Sequence, residues 1–492
     1  MLLLKNADIL TMRKKGEYLL GQDVLINEGK IVDIGNRISE EGKEVIDCTD
    51  KLVIPGMINA HLHSDENFFK GMFDNMPLEI WMLYSCPPLS YGPFSPEMIY
   101  LRTLLGAIEM VKRGVTCVQD DVSECPCGTV EGYDAVFRAY SDIGIKANVG
   151  LNMGNKNYLD KIPYIRDLVS DELKSKLDTR YDSEYNFELY KKIVKLWNDK
   201  NGHKVVFSTS APQRCTDKYL LRAKNFAEEY DLPMHTHILE SRIQYCTGDV
   251  FYGESIVKHA NRIGFLSERL SVIHGVWMDE EDMKLLGEAG ASLLSNPVSN
   301  LKLGSGIMNL IKMKKNGVNI ALGTDGMSSN DSQNMFESLK YAGLLQKVTD
   351  PDYRKWLDSY DILEMVYANA AKSMMRTEEI GSIEIGKEAD LVIMDKTNVS
   401  FIPQNKIENH LVYCENGDSV ETVLSKGKKI YDKGKILTID ETSIIRKIKE
   451  QQEEFNNKFK KTVKDNKVLE PYLKVVYDMC SQKMGKLRWN LF

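Results

Sequence analysis

Five of the eight histidines in this chain stand at the ends of short apolar runs: His61, His63, His235, His237 and His274. Imidazoles grouped with carboxylates are what a protein uses to hold a divalent metal and to move protons near neutral pH. In His61-Leu62-His63, and again in His235-Thr236-His237, the period-two geometry of a strand turns both imidazoles to one side. Asp325 ends the apolar run Leu322-Gly323-Thr324, and Glu240 follows His237 by three residues. Each signal has an ordinary alternative: an H-x-H pair or His274 as hydrogen-bonded core residues, and turn chemistry for an Asp before Gly326. Their coincidence at strand ends is what argues against those alternatives as a set.

The elements that must position these residues are readable. Strand-like runs at Lys204 to Ser208, Pro233 to His237, Leu270 to His274, Ala291 to Ser295 and Asn319 to Thr324 alternate with helical stretches. Pro96 to Lys112, Tyr219 to Tyr230 and Asp279 to Glu288 carry apolar residues at spacings of three and four. Repeated βα units of this kind predict a (β/α)8 TIM barrel over residues 55–383. Short strands at both chain ends, with a hairpin turn at Asn27-Glu28-Gly29-Lys30, predict a small β-sandwich domain from residues 1–54 plus 384–440. Residues 441–492 read as a helical C-terminal extension, with Ile444, Ile448, Phe455 and Phe459 at helical spacing. Its aromatics, Tyr472, Tyr477, Trp489 and Phe492, point to docking on the barrel or on another subunit.

At 492 residues, 43% hydrophobic and 27% charged, the chain has soluble globular composition. A net charge of -7 provides no field for phosphate backbones or anionic lipid, so nucleic acid and membrane are not expected partners. Met1 to Lys5 lacks the features of a secretory signal, and a cytoplasmic location is expected. The nine cysteines are scattered except for Cys125 and Cys127, and reduced thiols are expected.

Several ordered segments resemble the amidohydrolase superfamily, in its cytosine, guanine and methylthioadenosine deaminase and triazine hydrolase branch. They are Val53-Ile54-Pro55-Gly56 to His63, Ile273-His274-Gly275-Val276, Ser295-Asn296-Pro297 to Gly306, Gly323-Thr324-Asp325-Gly326, and Gly381-Ser382-Ile383 to Leu391. The resemblance runs to about Asp440. It implies that His61, His63, His237 and Asp325 hold one divalent ion, zinc most often, with iron or manganese as alternatives. No lysine stands near the end of the Val205 to Ser210 run, where binuclear relatives carry one. Such an ion lowers the pKa of a bound water toward roughly 7, supplying hydroxide for attack on an electrophilic carbon. By the same resemblance Asp325 accepts the water's proton, Glu240 protonates a ring nitrogen, and His274 hydrogen-bonds the nascent hydroxyl or oxyanion. His235 contacts substrate or supports the metal ligands, while His203 and His410 read as surface residues and His259 as a helix residue.

The expected reaction is hydrolytic deamination of a heteroaromatic amine, releasing ammonia. Nucleoside deaminases of this branch carry a Trp-Pro-x-Glu-like segment, whereas Trp81 to Leu89 contains no carboxylate. Many also carry Pro-His where this chain has Pro212-Gln213-Arg214. A purine base, pterin or triazine-like ring is therefore ranked ahead of nucleosides. Gln213 and Arg214 would read ring nitrogens or carbonyl oxygens. Trp81 and Phe69, with Phe68 and Phe73, would stack on the ring or pack in the core. Hydrolysis of a carbon-halogen, alkylamine or cyclic amide bond is the alternative, and a non-enzymatic scaffold the least supported. A homodimer or higher homo-oligomer is expected from the resemblance.

Overall fold

The computed structural model describes residues 1–89, 92, 94–124, 128–178 and 182–483; Cys125, Cys127, Trp489 and Phe492 lie outside the described residues. Five strands open the chain: β1 (Leu2–Leu10), β2 (Tyr18–Asn27), β3 (Lys30–Gly35), β4 (Glu44–Asp47) and β5 (Lys51–Pro55). The expected hairpin joins β2 to β3, with Asn27 paired to Lys30.

Eight parallel strands follow: β6 (Met57–Leu62), β7 (Val115–Val122), β8 (Lys146–Leu151), β9 (Lys204–Ser208), β10 (Met234–Ile238), β11 (Leu270–His274), β12 (Ser292–Ser295) and β13 (Asn319–Leu322). They pair in sequence order, β6 to β13. Every residue of β6, β7, β8 and β10 is buried, as a barrel covered by helices requires. The seam between β13 and β6 is drawn together by the backbone N–H groups of Thr324 and Asp325, which donate to the His61 carbonyl at 3.1 and 3.0 Å.

The chain then returns to the first sheet through β14 (Leu391–Asp395), β15 (Val420–Ser425), β16 (Lys428–Asp432) and β17 (Lys435–Ile436). The run from Lys428 to Ile439 is thus two short strands. Antiparallel pairing of β14 with β5 joins the two chain ends in one nine-stranded sheet. Leu4, Val24, Ile26 and Val53 from one end pack with Leu391, Ile393 and Leu424 from the other, a core separate from that of the barrel.

Two helices join β6 to β7. Helix α1 (Leu78–Ser85) follows the β6 loop, and α2 (Pro96–Lys112) starts where Ser95 accepts from the Met98 amide with Pro96 in the first turn. The C-terminal extension forms two helices, Glu441–Asn466 and Glu470–Lys483, and docks on its own barrel. Phe455 and Phe459 meet Phe69 with ring centroids 5.3 and 5.6 Å apart, and Phe68 and Phe73 join the same cluster. Phe69, expected to stack on substrate, is therefore core packing: its ring is 2% exposed and is spent on the extension.

His203 and His410 are not surface residues, being 1% and 7% exposed. His203 is held by the Ala147 amide on Nδ1 and by Ser141 on Nε2, and His410 by the Ser400 carbonyl. His259, in the helix Ile256–Arg262, is paired with Asp217. The seven described cysteines are free. Among the described residues no helix is long and apolar enough to cross a membrane.

Candidate metal centre and active-site cavity

The barrel brings His61 and His63 from the end of β6, His237 from β10, His274 from the end of β11 and Asp325 from just beyond β13 to one point. His61 Nε2 and His63 Nε2 each lie 3.5 Å from Asp325 Oδ1, and the Nε2 atoms of His63 and His237 are 3.3 Å apart. Donor atoms of His61, His63 and Asp325, and separately of His61, His237 and His274, fall within 4.8 Å of one another.

Hydrogen bonding decides which ring nitrogens face that point. His63 Nδ1 sits 2.6 Å from the Asp121 carbonyl and His237 Nδ1 2.8 Å from the Ser210 carbonyl. A carbonyl only accepts, so each Nδ1 carries a proton and each Nε2 is turned to the cluster, with a lone pair whenever the ring is neutral. Two lone pairs 3.3 Å apart repel, so the pair needs either a shared proton or a cation between them. His61 is fully buried, yet neither of its ring nitrogens has a hydrogen-bond partner among the described residues. Buried orphans of this kind call for a ligand. Three imidazoles and a carboxylate fit a divalent cation, and the group is a divalent metal site.

The electrostatics agree. Burial lowers the basicity of His63, but Glu66, Asp325, Asp121 and Asp65 outweigh it and push its pKa up to about 10. That negative field favours any cation. Burial holds His61 down at about 4, and His237 well below the usual histidine range. Asp325, although burial opposes it, is kept far below the usual carboxylate range by the close approach of the His61 imidazole.

Glu240 lies two residues beyond β10, 3% exposed, with Oε2 3.4 Å from His274 Nε2. Burial, then the charge of Asp325, raises its pKa well above the usual carboxylate range, which favours the protonated form. His274 Nδ1 is 2.9 Å from Asn300 Oδ1, and burial keeps the ring neutral.

Backbone geometry at the mouth is unusual. His274, Asp325, Leu239 and Ser210 adopt left-handed φ of 70, 68, 53 and 42°, conformations costly for residues with a Cβ and typical of functional sites. The Asp325-Gly326 pair is thus not an ordinary turn with glycine supplying positive φ. Gly326 is needed for space: a Cβ there would fall 1.8 Å from Glu66 Oε2, whose carboxylate accepts from Ser328 Oγ at 2.6 Å.

A cavity of about 450 Å³ opens over the cluster, lined by His63, His237, Glu240, His274 and Asp325, within the roughly 300–1,000 Å³ of small-molecule sites. Trp81, Gln213 and Arg214 also line it. His235 does not: its ring lies 5.0 Å from the His61 ring, on the barrel side of the cluster. Glu66, Glu79 and Gln244 line the cavity without having been singled out from sequence. Glu79 had one available signal, a lone carboxylate in the apolar stretch Leu78-Glu79-Ile80-Trp81.

Residues 52–430 match the family described as "Amidohydrolase family". The chain belongs to the amidohydrolase family. It is 30% identical to a 5'-deoxyadenosine deaminase of Methanosarcina acetivorans over 455 residues, 92% of this chain and 98% of the relative. It is 32% identical to a 5-methylthioadenosine/S-adenosylhomocysteine deaminase of Thermoanaerobacter pseudethanolicus over 444 residues, 89% and 95% of the two chains. A zinc-bound adenosine deaminase from Xanthomonas campestris shares its fold with a TM-score of 0.82 at 24% identity, covering 93% of this chain and 98% of the other. Atrazine chlorohydrolase from Arthrobacter aurescens does so with a TM-score of 0.83 at 20% identity, covering 92% and 100%. The protein is an amidohydrolase acting on carbon-nitrogen bonds other than peptide bonds.

Proposed function

We propose that this amidohydrolase is a zinc-dependent deaminase of an adenine nucleoside altered at its 5' carbon, replacing the ring amino group by oxygen and releasing ammonia. The reading rests on a protonated Glu240 beside the metal cluster, in a chain 30–32% identical to 5'-deoxyadenosine and methylthioadenosine deaminases over about nine-tenths of its length. It reverses the ranking that put a bare purine, pterin or triazine ring first. The missing carboxylate between Trp81 and Leu89 weighs less than this full-length similarity, because Glu79, two residues before Trp81 in the same helix, puts a carboxylate into the cavity.

One ion held by His61, His63, His237 and Asp325 would act as a Lewis acid and acidify a water. The chain supplies the proton transfers. The Glu240 carboxyl donates its proton to a ring nitrogen, making the amino-bearing carbon electrophilic. Asp325 accepts one proton from the attacking water and passes it to the departing amine, and the remaining hydroxyl proton returns to the Glu240 carboxylate, so water and amine become carbonyl and ammonia with Glu240 regenerated. His274, neutral and with Nδ1–H donated to Asn300, keeps Nε2 as an acceptor and orients the water. The resemblance implies a hydrogen bond from this residue to the nascent hydroxyl or oxyanion, and an accepting Nε2 fits the hydroxyl. Trp81, Gln213 and Arg214 contact the ring or sugar.

The test is ammonia release from metal-loaded protein with 5'-deoxyadenosine, methylthioadenosine, S-adenosylhomocysteine, adenosine, free aminopurines, aminopterins and aminotriazines. Deamination of the nucleosides is expected. Turnover of free rings alone would overturn the assignment and restore the bare-ring reading.

A further inference from the structure

The C-terminal extension reaches the cavity indirectly, through the wall that α1 makes. Helix α1 and the turn after it place Leu78, Glu79, Trp81, Met82 and Ser85 on the cavity. The Cys86 amide still donates to the Met82 carbonyl at 2.9 Å, and beyond it Leu89 finds its backbone partners outside the turn. Asn466, the last residue of the helix Glu441–Asn466, provides them. Its Oδ1 accepts from the Leu89 amide at 3.0 Å, and its Nδ2 donates to the Leu89 carbonyl at 2.8 Å. The side chain is 0% exposed and is itself steadied by the Thr462 carbonyl at 2.8 Å. One turn earlier, Tyr84 Oη donates to Glu470 at 2.6 Å, from the start of the last helix. Two polar pins therefore hold the end of α1, and the Phe455 and Phe459 cluster holds the loop before it.

We propose that Asn466, assisted by Glu470, is a positioning residue that sets substrate affinity by fixing the α1 wall of the cavity. The metal cluster and Glu240 stand on barrel strands and their immediate ends, which keep their geometry when the far end of α1 loosens. The wall contacts the part of the substrate remote from the reacting carbon. Releasing it raises KM and leaves kcat in place. The inference does not depend on the nucleoside assignment, only on a substrate that fills the cavity.

The experiment compares Asn466→Ala and Tyr84→Phe with the wild type in the full-length, metal-loaded protein. It uses whichever compound the wild type turns over, together with amide hydrogen exchange over residues 78–89. Asn466→Ala should exchange faster there and show a KM raised about tenfold, the loss of roughly one buried hydrogen bond, with kcat within about twofold. Tyr84→Phe removes one pin without changing packing volume, remains folded, and should move KM in the same direction by less. Faster exchange with unchanged KM, unchanged exchange in both variants, or a fall in kcat at constant KM would each overturn the proposal. Failure of all nucleosides to react, with another ring accepted, would refute the substrate assignment and leave this comparison intact.

Discussion

The Asp325 amide donates to the His61 carbonyl at 3.0 Å, and the same two residues meet again through their side chains, Oδ1 to Nε2 at 3.5 Å. The seam where the barrel nearly closes is thus also where two side chains of the His and Asp cluster face each other. Ligand geometry is tied to strand register there, because the backbone bond and the donor pair move together. Gly323 belongs to the same arrangement, since a Cβ on it would come within 2.6 Å of the His61 carbonyl oxygen.

Asp325→Asn keeps the backbone bond and removes the proton acceptor. Its kcat should fall about 10²–10⁴-fold, while circular dichroism stays that of the wild type. His61→Ala should bind far less metal by elemental analysis. Chelation of the wild type should abolish turnover and lower Tm, with zinc restoring both. Undiminished activity after verified metal removal would refute the metal assignment.

Glu240→Gln keeps the side-chain shape and loses the transferable proton. With metal content unchanged, kcat should drop about 10²–10⁴-fold. Burial and the Asp325 charge raise the Glu240 pKa, so its protonated form is kept to higher pH than an ordinary carboxyl and is lost as pH rises through that raised value. A descending basic limb is expected in the wild-type kcat profile. Its survival unchanged in the residual activity of the Gln variant would count against Glu240 as the donor.

His203 offers a stability measurement away from the site. It is buried and neutral, and burial first, then Arg376, lowers its pKa to about 4 from 6.5. The unfolded chain binds this proton more readily, so the stability the site confers is complete above pH 6.5 and is lost as pH falls toward 4. The loss is on the order of 3 kcal/mol. In metal-loaded protein, where the cluster histidines are occupied, His203→Gln should flatten the acid decline in Tm. An equally steep decline would show that His203 does not drive it.

Gly326→Ala tests the space claimed for Glu66. A methyl group 1.8 Å from a carboxylate oxygen forces Glu66 or the Asp325 segment to move, and overpacking of this kind costs about 1–3 kcal/mol. Lower Tm and weaker metal retention are expected. Glu66→Ala placed on top of it should relieve the clash and recover part of the Tm. No recovery would mean that the glycine serves another purpose.

The histidines, Asp325 and Glu240 were legible in the sequence because local periodicity carries the information they need. Alternation along a strand says which side a residue faces, and a βα repeat says where strands end, so His61, His63, His237 and His274 could be assigned to one mouth before any coordinate was known. Phe69 and Phe455 show the limit: either aromatic fits a ligand or a core, and the choice came from a helix 386 residues later in the chain. His203, Glu79 and Asn466 are of the same kind. Burial, an aim into the cavity and a grip on the Leu89 backbone are not properties of a residue and its neighbours. They arise when segments far apart in sequence close on one another, and for these residues only the tertiary structure decided which polar group met a partner and which faced the cavity.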